Sequence, residues 1–225
     1  MAPKPLAWMA VLALTAATAC VTSGQDAGKS ALERDPQGWQ SLMPDEKLTH
    51  WTRQPIPITG TLGRAQWHVD PATKYLVCDG DGGHDWLRFD HEYTDFIYHV
   101  EFRFTPVEGK TGYNSGLFVR NGADGTIWHQ AQVGSASGGW LFGNTPVNGE
   151  AKRFNLSKEI KEQRVKPAGQ WNTFEVTCRG KTISVWVNGA VQCEWPACEV
   201  PKGYVGLEGE GWKIEFRNVK LKELR

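Results

Sequence analysis

Asn172-Thr-Phe-Glu-Val-Thr-Cys178, Arg179-Gly-Lys181, Thr182-Ile-Ser-Val-Trp-Val187, Asn188-Gly189 and Ala190-Val-Gln-Cys-Glu194 follow one another without a break. This stretch predicts three strands joined by two tight turns. In the first two strands apolar and polar residues alternate, as they must when successive side chains point to opposite faces of a sheet. Asn188-Gly189 is the sharper turn signal, because a type I′ hairpin needs positive φ at both central residues. Working outward, strand-like pieces recur at 66–69, 75–78, 86–89, 96–104, 115–120, 127–133, 204–208 and 213–221. Turn residues separate them, which is the pattern of an all-β sandwich or barrel. Only 156–162 offers a turn or two of helix, and no internal repeat is present.

Composition narrows the function. Lys plus Arg and Asp plus Glu number 25 each, so the formal net charge is zero and no basic field exists to hold nucleic acid. The 25 glycines suit many tight turns. The 11 tryptophans suit an aromatic core or flat surfaces for stacking on sugar rings.

The first 20 residues read as an export signal: a basic start at Met1-Ala-Pro-Lys4, an apolar run over 6–16, then Ala17-Thr-Ala-Cys20. Ala17-x-Ala19 fits an ordinary cleavage site. Ala19-Cys20 resembles a lipobox with Cys20 lipidated, although Ala17 stands where Leu is usual, and the polar tether behind Cys20 favours the lipoprotein. The chain is therefore expected outside the cytoplasm, in the periplasm or anchored to the outer membrane, touching membrane only through that lipid. Residues 21–36 read as a flexible spacer and 37–225 as one sandwich domain. Cys78, Cys178, Cys193 and Cys198 allow two disulfides in three connectivities, or free buried thiols.

Alternation also sorts the faces. Tyr98, Val100, Phe102 and Phe104 share one face, leaving His99, Glu101 and Arg103 on the other. By the same rule Leu117 and Val119 point inward against Asn114, Phe118 and Arg120. Ala131 and Val133 oppose Gln130 and Gln132, and Val205 and Leu207 oppose Glu208. The outward set of Glu101, Arg103, Asn114, Arg120, Gln130, Gln132 and Glu208 matches the needs of a polyhydroxyl ligand, since each sugar hydroxyl both donates and accepts. A solvated face with surface ion pairs is the plainer alternative.

Taken in order, Trp86-Leu87, Tyr93-Thr-Asp-Phe96, Glu101-Phe-Arg103, Asn114-Ser-Gly-Leu-Phe-Val-Arg120, Lys166-Pro-Ala-Gly-Gln-Trp-Asn172, Val187-Asn-Gly189, Gly203-Tyr-Val-Gly-Leu-Glu-Gly-Glu-Gly211 and Glu215-Phe-Arg-Asn-Val219 resemble the bacterial 3-keto-disaccharide hydrolase family. The resemblance spans roughly 38–224. It implies a concanavalin A-like jelly roll of two antiparallel sheets, export, and the binding or cleavage of sugars. Where many members carry Tyr-Glu-x-Gln, this chain has His129-Gln-Ala-Gln132, so an amide stands in place of a carboxylate at Gln130. In the Gly-Leu-Gln-x-x-Gly turn, where members vary between His and Glu, it has Glu208 and Glu210.

The chemistry implied is loss of the C2 proton next to a C3 ketone, expulsion of the C1 substituent, and addition of water. Glu208 or Glu210 is the expected base, with Arg120 or a metal ion on the enolate. Glu101, Arg103, Asn114, Gln130, Gln132 and Trp212 are the expected sugar contacts. The sequence requires no cofactor; His129, Glu208 and Glu210 are candidate ligands for a divalent cation. His84-Asp85 reads as a loop ligand pair or simply a turn, and Arg153 as a closing residue or a solvated loop. A lectin-like binding module without turnover is the alternative reading.

Overall fold

The computed structural model describes residues 28–160 and 162–225. The expected signal, its Cys20 and residues 21–27 of the spacer lie outside the described residues. Fifteen strands appear in chain order: β1 (Gln40–Ser41), β2 (Trp51–Pro55), β3 (Trp67–Val69), β4 (Leu76–Cys78), β5 (His84–Tyr93), β6 (Phe96–Phe104), β7 (Asn114–Asn121), β8 (Trp128–Gly134), β9 (Leu141–Val147), β10 (Glu150–Asn155), β11 (Asn172–Arg179), β12 (Thr182–Val187), β13 (Ala190–Trp195), β14 (Gly203–Glu210) and β15 (Ile214–Glu223). They form two antiparallel sheets, in the orders β13-β12-β11-β6-β15-β4-β3 (with β1 on β15) and β10-β9-β8-β7-β14-β5-β2. The fold is the expected jelly-roll sandwich.

The core fills the space between the inner faces. From the eight-stranded sheet come Tyr98, Val100, Phe102, Phe174, Val176, Ile183 and Val185; from the seven-stranded sheet come Leu87, Leu117, Val119, Val133, Val205 and Leu207. All are fully buried, and each large apolar side chain removed from water contributes about 2 kcal/mol. Both predicted hairpins form. Val187 pairs with Ala190 across Asn188 (φ 43°) and Gly189 (φ 113°), and Arg179 pairs with Thr182 across Gly180-Lys181. On β15 the alternation breaks by design: Phe216 and Val219 are both buried, three residues apart, because a bulge between Arg217 and Lys220 absorbs the extra residue.

Four strands were not legible: β1 is only two residues long, and the others carry breakers or polar residues. β2 ends in Pro55, which an edge strand tolerates. β9 contains Gly143, Asn144 and Pro146, and β10 is polar and exposed. The 156–162 segment yields a 3₁₀ turn at Ser157–Glu159.

Part of the expected spacer is folded onto the domain. Ala31–Arg34 forms one helical turn, α1, whose Ser30 and Glu33 cap each other reciprocally. The Ala31 and Leu32 amides donate to the Glu175 carboxylate (2.6 and 3.1 Å), which also meets His99 Nδ1 at 2.8 Å. The four cysteines among the described residues are free and buried. Among the described residues no helix is long and apolar enough to cross a membrane.

Candidate active site

A cleft of about 660 Å³ runs across the outer face of the seven-stranded sheet. Its residues come from β5, β7, β8, β9, β10 and β14 and the 124–126 loop, with 55–59, at the end of β2, as one wall. Strand register builds it. Glu210 pairs with His84 and Glu208 with Trp86 across β14–β5, while Gly206 pairs with Phe118 across β14–β7. Gly116 pairs with Gln132, and Phe118 with Gln130, across β7–β8. The bulge in β14 falls between Tyr204 and Gly206, so the strand runs regularly through Glu208 and Glu210 and both carboxylates face the cleft.

The floor is an acid–imidazole cluster. His84 Nε2 lies 2.8 Å from Glu208 Oε1 and 3.8 Å from Glu210 Oε2. Gln130 Nε2 donates to Glu208 Oε2 at 2.7 Å, and Ser115 Oγ donates to the Glu208 carbonyl at 2.8 Å. Asn114 Nδ2 donates to Glu210, and Gln132 Nε2 donates to Asn114 Oδ1 at 2.5 Å. The two carboxylates differ in access: the Glu208 side chain is 4% exposed, that of Glu210 37%. Burial pushes the Glu208 carboxyl above its ordinary range, and the neighbouring Glu210 adds to this against the contacts from His84 and Gln130. The hydrogen bond to Glu208 raises His84 above the usual imidazole value, with burial opposing. Both shifts favour a proton shared by the pair, which stands beside an accessible carboxylate.

Gly116 makes the cluster possible. A Cβ there would lie 2.5 Å from Gln130 Cγ, well inside the roughly 3.5–4.0 Å of carbon contact. Without a side chain at Gly116, Gln130 can cross β7 to reach Glu208.

Of the residues expected at a sugar site, the fold brings Asn114, Gln130, Gln132, Glu208 and Glu210 together. Four others it places elsewhere, and each placement has a local cause. Glu101 and Arg103 sit on β6, in the other sheet. There Glu101 binds Arg217 and Asn218 (both 2.7 Å) and Arg103 binds Glu215 (2.6 Å), with Trp171 under both guanidinium groups. Arg120 is fully buried, not an enolate-stabilising group in the cleft. A positive φ (49°) at the end of the regular register turns it aside, and its guanidinium donates to Thr94, Gly180 and Val200 carbonyls and to Asp95. Trp212 packs on Tyr113 (centroids 4.2 Å apart) against the core.

His129 is not a ligand beside the two glutamates. The alternation that sends Gln130 outward sends His129 inward, where it contacts the Val119 carbonyl (3.2 Å) and Thr145 Oγ1 (3.0 Å). Burial pushes its pKa down to about 4, so it stays neutral. The imidazole in the cluster is His84 instead, which begins a strand rather than a turn. Its neighbour Asp85 points inward, binding Arg53 and, at 2.8 Å, Trp67 Nε1. Alternation from Trp86 carried the signal for His84, because residues two apart share a face. The aromatic walls of Trp86, Phe118, Trp128 and Phe142 were not among the expected contacts, and Arg153 lies at the rim over Trp128 (5.6 Å).

His84, Glu208 and Glu210 each offer one atom within 4.8 Å of the others, one imidazole nitrogen and two carboxylate oxygens. That donor set suits a divalent transition metal, with Asn114 and Gln130 orienting the carboxylates from behind.

The fold has many solved counterparts. A Parabacteroides distasonis protein described as a glycosyl hydrolase superposes with a TM-score of 0.59 at 16% identity, over 88% of this chain and 99% of that one. The carbohydrate-binding module CBM66 from Bacillus subtilis gives 0.53 at 16% identity, over 78% and 96%. A Bacillus licheniformis β-glucanase gives 0.51 at 15% identity, over 79% and 94%. At these identities the likeness is one of fold. No curated protein matches the sequence. The family described as 3-keto-alpha-glucoside-1,2-lyase-like domain, however, matches residues 38–222. The match covers most of the chain and agrees with the motifs read from the sequence, so the protein belongs to that family.

Proposed function

We propose that the cleft cleaves 3-keto-glycosides by removing the C2 proton and expelling the C1 substituent. Family membership supports a carbohydrate-related function. The observation that carries the finer reading is the convergence of His84, Glu208 and Glu210, from two paired strands, on the floor of an aromatic-walled cleft.

Glu210 is the base, because it is the accessible carboxylate. It takes the C2 proton, the C2–H electrons form the C2–C3 enolate, and His84 donates its shared proton toward the C3 oxygen. The enolate then re-forms the ketone as the C1–O bond breaks, and the departing oxygen takes a proton from the cluster or from water. Addition of water across C1–C2 completes a net hydrolysis. Asn114 and Gln132 hold the sugar and fix Glu210, while Gln130 orients Glu208. A divalent cation on His84, Glu208 and Glu210 would polarise the C3 carbonyl as a Lewis acid. We further place the protein outside the cytoplasm, following the export signal at 1–20.

A mass-spectrometric and NMR time course with 3-keto-disaccharides and their unoxidised parents, with and without chelator and added divalent metal, tests the reading. Cleavage of the keto form alone, lost in Glu210→Gln, is expected. If neither form is cleaved while the parents raise the melting temperature, the protein is a sugar-binding module and the catalytic roles fall.

A further inference from the structure

The cleft is chemically divided along the strands. At one end stand Glu210, His84, Asn114 and Gln132, every one a hydrogen-bonding group. Further along three of the strands the outward positions turn aromatic: Trp86 stands two residues from His84 on β5, about 7 Å away, while Phe118 on β7 and Trp128 on β8 stand four residues from Asn114 and Gln132, about 14 Å away. Phe118 faces Gly206 and pairs with Gln130, and Gln130 pairs with Phe142. Trp128 lies edge-on to Phe142 at 5.3 Å, and Trp86 edge-on to Phe118 at 5.4 Å. Ile58 completes this end, since a Cβ on Gly125 would touch Ile58 Cβ at 3.5 Å. The loops carrying these two residues meet over the apolar half.

Most polar side chains at this end are engaged with their own loops, and Arg153 instead lies over the Trp128 ring (5.6 Å). Asn121 Oδ1 accepts from the His129 amide (2.9 Å). Asp124 Oδ1 accepts from both the amide and hydroxyl of Thr126 (3.1 and 2.8 Å). Asn144 Nδ2 donates to the Thr126 carbonyl (2.7 Å). The Gln130 amide is turned to Glu208. A second sugar ring placed here would bring hydroxyls, each needing a donor and an acceptor, to a surface where Arg153 is the main donor and few acceptors are left over. A flat apolar ring meets no such demand and gains aromatic contacts.

Building on the proposed cleavage reaction, we infer that the aromatic half is a leaving-group subsite selecting planar aromatic aglycones over a second sugar. The sugar that loses its C2 proton occupies the polar end, and the C1–O bond spans the junction.

Calorimetric titration with 2-naphthol and with glucose reads this subsite without any turnover. 2-Naphthol should bind wild-type protein and glucose should not compete with it. Trp128→Ala should weaken 2-naphthol by about tenfold, with Trp128→Phe restoring most of the affinity. A turnover arm compares 2-naphthyl and glucosyl 3-keto-glucosides. Trp128→Ala should lower kcat/KM for the naphthyl substrate selectively, and comparing the variant-to-wild-type ratios cancels the intrinsic difference between the leaving groups. Glucose displacing 2-naphthol, or 2-naphthol binding indifferent to Trp128→Ala, would overturn the subsite. Naphthol binding that depends on Trp128, without turnover of either substrate, would support the subsite and sink the cleavage chemistry alone.

Discussion

Gly116→Ala is the sharpest test of how the acid–imidazole cluster is held. The added methyl would stand 2.5 Å from Gln130 Cγ, a side chain only 4% exposed, so the glutamine must leave its place. Its departure strips a donor from the buried Glu208 carboxylate, which it meets at 2.7 Å. A hydrogen bond to a charged group contributes roughly 1.5–3 kcal/mol, and the carboxylate left short of a partner adds to the loss. Gly116→Ala should therefore destabilise the protein by about 3 kcal/mol, although Gly116 has no positive φ and alanine suits a strand. Gln130→Ala removes the same bond and should cost about 2 kcal/mol. In Gly116→Ala/Gln130→Ala the new methyl occupies the space the glutamine has vacated, so the double variant should resemble Gln130→Ala alone. The predicted coupling is about 3 kcal/mol, against near-additivity within about 0.5 kcal/mol for independent sites. Urea unfolding of the four proteins, with m unchanged across them, measures it. Additive losses would show that Gln130 does not depend on the missing side chain and would refute the account of Gly116.

Three further outcomes are expected. Gln130→Glu sets a third carboxylate against Glu208, whose folded-state pKa is already raised, so the variant should lose more melting temperature at pH 8 than at pH 5; an equal loss at both would refute the contact. Glu101 is partly buried, which alone would raise its pKa, yet His99, Asn218 and Arg217 hold it at about 2. Its folded value is depressed, so its stabilisation is present above the ordinary carboxylate range and fades as pH falls from about 4.5 toward 2. Acid titration of stability should be shallower in Glu101→Gln over that window. Arg120→Lys should cost about 3 kcal/mol of unfolding free energy, since an ammonium cannot reach the carbonyls and carboxylate that the guanidinium joins. Sugar binding per folded molecule should survive it, and a selective loss of binding at unchanged stability would return Arg120 to the site.

Alternation is a local property of the chain, and it decided much here. The strands, the two hairpins around Gly180 and Asn188-Gly189, and the outward faces of Asn114, Gln130, Gln132 and Glu208 all follow from side chains two apart sharing a face. The sequence motifs also determined the family. Which outward faces lie together is a different question, because it depends on which strands pair across long separations. Glu101 and Arg103 carry the same local signal as Asn114 and Gln132, yet β6 joins the sheet with β11 and β15, and their side chains face away from the cleft. His84 enters the cluster only because β5 and β14 pair in a register that sets it opposite Glu210. Arg120 leaves the outward set at a positive φ that no period-2 reading anticipates. Burial came last: two glutamates separated by one glycine look equivalent in the sequence, and only the packed sheet makes Glu208 the enclosed acid and Glu210 the open one.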